Sequence, residues 1–299
     1  MTKFALLISI CFIVSNLSFS QQKIKGKIIN AENGKVIPYV NVGIKGSSIG
    51  TVSNLDGEFL IVIPKSHQID STTCIISCIG YTKQSILTDT LQKENIIVKL
   101  APSTTLLNDI VINYRQKKNK KEDKTRQKKL GKIHTFLPIL HSIFYTSSDS
   151  VIEDRLGRER GTIITIKEDC NVKALSFHIS GNEFKTIRFR FNLYTISKGK
   201  PSDVINQQDI LFEVKDGFKE WYTIDVSKYN IVLQKNLDKA LISLQWIESE
   251  KLEEDSKWFS ISAALSSGKN HFYRNKIGSD WESFNGKLNM YIVTEKVEI

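Results

Sequence analysis

Apolar and polar residues alternate along much of this chain with a period of two, the spacing of half-buried β-strands. Lys23 to Ile29 puts Ile24 and Ile28 on one face, and Val36 to Lys45 does the same with Val40, Val42 and Ile44. Ile49 to Val52, Phe59 to Ile63, Cys74 to Ile79 and Ile96 to Leu100 follow, at spacings of about ten residues. Asn54-Leu55-Asp56-Gly57 between two of these runs predicts a hairpin turn, and Pro64 and Pro102 mark strand ends. The pattern predicts a small β-sandwich over residues 21–114.

The second half is also mostly β. Strands are expected at Thr162 to Ile166, Val172 to Ile179, Thr186 to Ile196, Ile210 to Val214, Glu220 to Val226, Ala240 to Ile247, Trp258 to Leu265 and Leu288 to Thr294. Ser150 to Arg160 reads as a short helix. Eight strands with polar loops predict a jelly-roll-like sandwich over residues 133–299, so the fold class is all-β throughout.

Charge separates the two halves. The chain has 42 Lys and Arg against 32 Asp and Glu, a net charge of +10. Arg115 to Lys132 alone holds ten basic and two acidic residues, so the basic character belongs to a segment and not to a domain face. With almost nothing apolar to bury, residues 115–132 are expected to be a flexible linker that allows independent motion of the two sandwiches. The run lacks interleaved aromatic residues, so no nucleic acid is expected as a partner. Peripheral contact with an anionic surface is the alternative to a solvated linker.

In the first half, Gly26-Lys27-Ile28, Ile37-Pro38-Tyr39-Val40-Asn41-Val42, Gly46, Gly50-Thr51, Ser53-Asn54 and Asp56-Gly57-Glu58-Phe59 stand in the order and spacing of one known family. With Ile79-Gly80-Tyr81 and Ile96 to Leu100, they resemble the carboxypeptidase regulatory-like domain. That resemblance implies a transthyretin-like sandwich of about seven strands that is a non-catalytic accessory module. Leu106 to Ile112 is similar to the segment that follows this module in TonB-dependent outer-membrane receptors, although the 167 residues from 133 onward are too few for a plug and a large barrel. The second half resembles galactose-binding-like jelly-rolls of secreted bacterial proteins, without a specific motif.

Residues 1–20 read as a secretory signal peptide, with Lys3, an apolar run from Phe4 to Val14, and Ser18-Phe19-Ser20 before the expected mature start at Gln21. The run is shorter than the roughly 20 apolar residues of a membrane span, and no later stretch could span a membrane. Export is expected, to the periplasm, the outer membrane or beyond. Three cysteines then remain: Cys74, Cys78 and Cys170. Cys74 and Cys78 lie four apart in a strand-like run, about 13 Å between Cα atoms, too far for a disulfide. Three buried thiols are expected, with a Cys170 bridge or an intermolecular bond as the alternative.

The five histidines, His67, His134, His141, His178 and His271, stand in no metal box or nucleophile elbow, and there is no G-x-S-x-G, H-E-x-x-H, C-x-x-C or phosphate loop. No catalytic residue, metal or cofactor is expected. The acidic run Glu248 to Asp255 lacks apolar neighbours and reads as a solvated loop.

One constellation points to binding. In Thr186 to Ile196, Ile187, Phe189, Phe191 and Leu193 share one face, while Arg188, Arg190, Asn192 and Tyr194 share the other. Guanidinium, amide and phenol groups on an open sheet face suit hydroxyl-rich or acidic ligands. Trp258 alternates away from Phe259 and Ile261 and joins these four as a candidate ligand residue. The leading expectation is a non-enzymatic binding or assembly protein of the cell envelope, with an envelope protein or glycan as partner. Carbohydrate binding by the second sandwich comes next, and a glycan-directed hydrolase after it.

Overall fold

A computed structural model describes residues 22–64, 72–91, 96–103, 127–134, 140–144 and 155–297. The expected signal peptide, the Leu106 to Ile112 segment and most of the expected linker lie outside the described residues. Those residues are all-β apart from single-turn 3-10 segments.

The N-terminal sandwich contains β1 (Gln22–Asn30), β2 (Asn41–Ile44), β3 (Gly50–Val52), β4 (Glu58–Ile63), β5 (Thr73–Ser77), β6 (Gln84–Leu87) and β7 (Ile96–Leu100). One sheet has the order β4-β1-β7, with β7 parallel to β1, and the other runs β3-β2-β5-β6. Ile24, Ile28, Val42, Phe59, Ile61, Cys74, Ile76 and Val98 fill the space between them. The expected hairpin across Asn54–Gly57 is a crossover instead, because β3 pairs with β2 and β4 pairs with β1. Asn54 Oδ1 accepts from the backbone N–H groups of Asp56 and Glu58, and Gly57 takes φ +70°. The closed turn carries the chain from one sheet to the other. A Cβ on Gly57 would lie 2.7 Å from the Ile28 carbonyl oxygen, so the crossing needs glycine.

The C-terminal sandwich starts inside the expected linker. Residues 127–131 form β8 (Gln127–Gly131), which pairs with the last strand of the chain and extends the second fold six residues upstream of Ile133. The first strands after it are β9 (Leu140–Ile143), β10 (Glu159–Thr165), β11 (Cys170–Asn182), β12 (Phe184–Ser197), β13 (Lys200–Val204), β14 (Leu211–Lys215) and β15 (Glu220–Asp225). The rest are β16 (Val232–Leu233), β17 (Lys239–Lys251), β18 (Phe259–Ala264), β19 (His271–Arg274), β20 (Glu282–Phe284), β21 (Lys287–Leu288) and β22 (Met290–Lys296).

The first sheet has the order β13-β12-β17-β10-β19-β20, with β14 also on β12. The second has the order β21-β18-β11-β22-β8, with β15 and β16 on β11 and β9 on β18. Glu159 and Arg160, expected in a helix, are strand residues of β10, and Glu248 and Glu250 belong to β17 and not to a loop. Phe144, Phe177, Phe189, Trp246 and Phe259 form the aromatic centre of the core, with the Phe189 and Trp246 rings edge to face at 5.4 Å.

The sandwiches are docked on each other. Tyr39 and Val52 of the first pack with Ile247 of β17. Gly46 donates its N–H to Gly278 O at 2.9 Å, and Ser279 Oγ donates to Ser47 O at 2.8 Å. A Cβ on Gly278 would lie 2.1 Å from Ile44 O, so the two backbones meet at a distance only glycine permits. The expected freedom of one sandwich relative to the other gives way to this contact, whose partners are far apart in sequence. Cys74, Cys78 and Cys170 are free thiols. Burial raises the Cys74 pKa to about 12 and that of half-buried Cys78 to about 11.

Candidate functional site

The polar face of β12 is where the sequence placed an open binding platform, and in the fold most of it is covered. Ile187, Phe189, Phe191 and Leu193 do face the core, so the alternation is as expected. Arg190, Asn192 and Tyr194, on the opposite face, are also buried. Arg190 is bidentate to Asp209 (2.5 and 2.8 Å) and donates to Gln245 Oε1 and to Tyr39 O. Burial works against its charge, but Asp209 outweighs burial and the pKa rises.

Asn192 Nδ2 donates to Glu159 Oε1, and Tyr194 Oη donates to Glu159 Oε2. Arg274 holds Glu159 Oε2 at 2.7 Å and lies over the Trp281 ring, which meets the Tyr194 ring edge to face. Burial drives the Tyr194 phenol far above its ordinary pKa, with Arg274 opposing and Glu159 adding to the rise. Arg188 is the half-exposed member. It ion-pairs with Glu213 and Glu248 and lies over the Tyr39 ring, 5.0 Å from its centre. These four residues therefore join strands and sandwiches, since docking Tyr39 and folding Trp281 over the sheet removes water from the face.

Trp258 sits elsewhere, on the outer face of the second sheet. It precedes β18, whose Phe259, Ile261 and Ala263 point into the core while Ser260 and Ser262 point out. The Trp258 indole lies against Gly181 of β11, where a Cβ would come within 2.5 Å of the ring. Its Nε1 donates to Ser260 Oγ at 3.2 Å, and the residue keeps 37% of its surface in solvent. Only glycine at position 181 leaves room for the ring there.

Around that ring the registers gather groups that are distant in sequence. Ser180 Oγ lies 2.9 Å from Ser260 Oγ and 2.8 Å from Nδ1 of exposed His141. One step along β11, His178 Nδ1 lies 3.0 Å from Ser262 Oγ, which also accepts from Asn289 Nδ2 at 2.7 Å. Asn289 Oδ1 is buried with no hydrogen-bond partner. On the other side of β11, Trp221 stands beside His178, with Tyr291 5.1 Å from Trp221 and Lys129 over the Tyr291 ring.

β9, β18, β11 and β15 lie side by side at the usual spacing of about 4.8 Å. The strip therefore carries two aromatic stations, about 10 Å apart along β11, with exposed His141 and half-buried Ser180 and His178 between them and the Ser260 and Ser262 hydroxyls buried beneath. Rings that can stack and neutral groups that both donate and accept suit a ligand with apolar faces and hydroxyl edges. Sequence reading reached Trp258 through its alternation. It missed His141, His178, Ser180, Ser262 and Trp221, which converge only through strand pairing. Among the described residues no group of three or more His, Cys, Asp or Glu is placed to hold a metal ion.

Residues 24–112 match the family model of the CarboxypepD_reg-like domain, so the N-terminal sandwich is a domain of that kind. Over 92 residues the chain is 29% identical to "TonB-dependent receptor P3" of Formosa agariphila, an alignment that covers 31% of this chain and 9% of that protein. Among solved structures, the chain aligns with the cysteine protease and lectin-like domains of Cwp84, a surface layer associated protein of Clostridium difficile. That alignment has a TM-score of 0.39 and 6% identity, over 93% of this chain and 59% of the other. No described helix is long and apolar enough to cross a membrane.

Proposed function

We propose that this chain is a non-enzymatic binding protein of the bacterial cell envelope that recognises carbohydrate through the Trp258 face of its second sandwich. The observation that carries the reading is the half-exposed Trp258 ring, seated against Gly181 and flanked by the Ser180–His141 pair. Stacking on a ring and hydrogen bonding at its edge is the chemistry a sugar needs. An envelope location is supported by the signal-peptide pattern and by the local likeness to a TonB-dependent receptor. In this reading the CarboxypepD_reg-like domain is a rigid buttress, because its Tyr39 is tied into β12 and β17.

The second reading is an assembly protein, in which the same face meets another protein. The half-exposed Trp258 ring favours it, since an aromatic side chain left in solvent can anchor a protein as well as a sugar. A hydrolase has less support: the densest set of titratable groups, Glu159, Tyr194 and Arg274, is buried and internally bonded.

Residues 21–299 should be run against a glycan array and a cell-envelope pull-down in parallel. A sugar signal lost in Trp258→Ala and Trp221→Ala, each with unchanged circular dichroism, supports the carbohydrate reading. A protein partner without a sugar signal supports assembly, and silence in both experiments overturns the Trp258 face as a recognition site.

A further inference from the structure

A second surface, on the N-terminal sandwich, has a different chemistry. Ile24 and Ile28 of β1 face the core, so Lys23, Lys25 and Lys27 face out. Register places Lys25 beside Leu60, Lys23 beside Val62, Lys27 between Glu58 and Ile97, and Lys99 beside Ile29. The outer face of the β4-β1-β7 sheet thus carries four lysines. The one carboxylate on the described strands of this sheet is Glu58, 3.6 Å from Lys27. Two exposed apolar side chains stand among the lysines: Ile97, 61% exposed, and Leu60, 37% exposed.

The direction of this face matters. The first sandwich docks on the second through Tyr39, Ile44, Gly46, Ser47 and Val52, which belong to the other sheet or its connections. The lysine face is therefore on the far layer, turned away from the docked partner. Between β7 and β8 the sequence adds seven basic residues against two acidic ones from Arg115 to Arg126.

We infer that the outer face of the β4-β1-β7 sheet binds an anionic membrane surface through lipid headgroup phosphates. Lysine stems lie along apolar surface while their ammonium groups extend to the headgroups, and exposed Ile97 and Leu60 enter the headgroup boundary between them. A membrane fits this mixture better than a nucleic acid does. The outward residues of these strands include no aromatic ring on which a base could stack, and isolated aliphatic side chains gain nothing from a phosphate backbone. The surface is independent of the Trp258 face, so one molecule could hold a membrane and a ligand at once.

The test is co-sedimentation of residues 21–299 with vesicles of phosphatidylcholine, with and without phosphatidylglycerol, at low and physiological salt. Binding should require phosphatidylglycerol and weaken with salt. Lys23→Gln, Lys25→Gln and Lys99→Gln should each lower the partition coefficient about fivefold, and Ile97→Ser should weaken the binding that persists at physiological salt. A variant with Lys117, Lys118, Lys120 and Lys121 replaced by glutamine separates the segment from the sheet. Loss in that variant, with the sheet variants binding like wild type, overturns the proposal. So does binding to a soluble oligonucleotide that matches binding to the vesicles. Lys23, Lys25, Ile97 and Lys99 are exposed, and an unchanged melting temperature in every variant excludes unfolding as the cause of any loss.

Discussion

The carbonyl oxygen of Tyr39 accepts a hydrogen bond from Arg190 Nη2 at 2.8 Å, across the boundary between the two sandwiches. Tyr39 has φ +57°, a left-handed conformation that costs a bulky residue about 1–3 kcal/mol. In that conformation its carbonyl meets the guanidinium, its ring lies under Arg188, and its hydroxyl reaches Glu248. One residue thus engages β12 and β17 by its backbone, its ring and its hydroxyl.

Removing Arg190 should loosen the whole contact. Arg190→Met leaves Asp209 without its partner and the Tyr39 carbonyl without a donor. The expected loss is about 3 kcal/mol, at the low end for a broken buried ion pair because Asp209 keeps some solvent contact. Urea unfolding should change from one transition to two as the sandwiches uncouple. A single transition with unchanged midpoint would show that docking does not depend on this residue.

The glycine at the seam gives a cleaner test. Gly278→Ala puts a methyl group 2.1 Å from Ile44 O, where backbone and not a flexible side chain must move. Overpacking of this kind costs about 1–3 kcal/mol, and here it is relieved by separating the sandwiches. Cys78 reports the event, since it is half-buried near Arg190 and Asp209 and its thiol is raised to about 11. Alkylation followed by mass spectrometry should show Cys78 slow in the wild type and fast in the variant, with Cys74 and Cys170 protected in both.

At the Trp258 face, the supporting glycine should matter as much as the ring. Gly181→Ala brings a Cβ within 2.5 Å of the indole and must displace it from its seat. Sugar binding should fall at least tenfold, with Trp258→Ala giving a similar loss and melting temperatures changing little. Tryptophan fluorescence titration with any array hit measures both variants. Full affinity in Gly181→Ala would mean that ring orientation is not what recognises the ligand.

Acid should weaken the fold through His271. Its ring is buried, 3.0 Å from Ser142 Oγ, and burial together with Arg160 lowers its pKa from 6.5 to about 4. Below pH 6.5 the unfolded chain binds a proton that the folded chain refuses until about pH 4. Stability is therefore lost as pH falls through that window, by about 3 kcal/mol at its acid end. In His271→Gln this contribution is absent, so the stability difference between wild type and variant should shrink from neutrality down to about pH 4. A difference that stays constant with pH would place the protonation of His271 elsewhere.

Much of this protein is local, and local properties can be read in a sequence. Alternation sorted Ile187, Phe189, Phe191 and Leu193 from Arg188, Arg190, Asn192 and Tyr194, because successive side chains of a strand point to opposite faces whatever the fold around them. The same rule turned Trp258 away from Phe259 and Ile261. The spaced glycines and the Pro38-Tyr39 motif identified the first domain, since turn backbones restrict residue type at each position.

What covers a face is not local. Whether Arg190 meets water or Tyr39 depends on a contact between residues 151 positions apart, and the pattern of β12 is the same in either case. His141, Ser180 and Ser260 meet only when β9, β18 and β11 pair in one register. The Asn54–Gly57 turn reads alike as hairpin or crossover, because pairing partners further along the chain decide between them. Strands, their faces and the identity of the first domain follow from rules that act over a few residues. Tertiary structure alone decided which polar face was spent on docking and which was left to solvent, because burial depends on how distant segments pack.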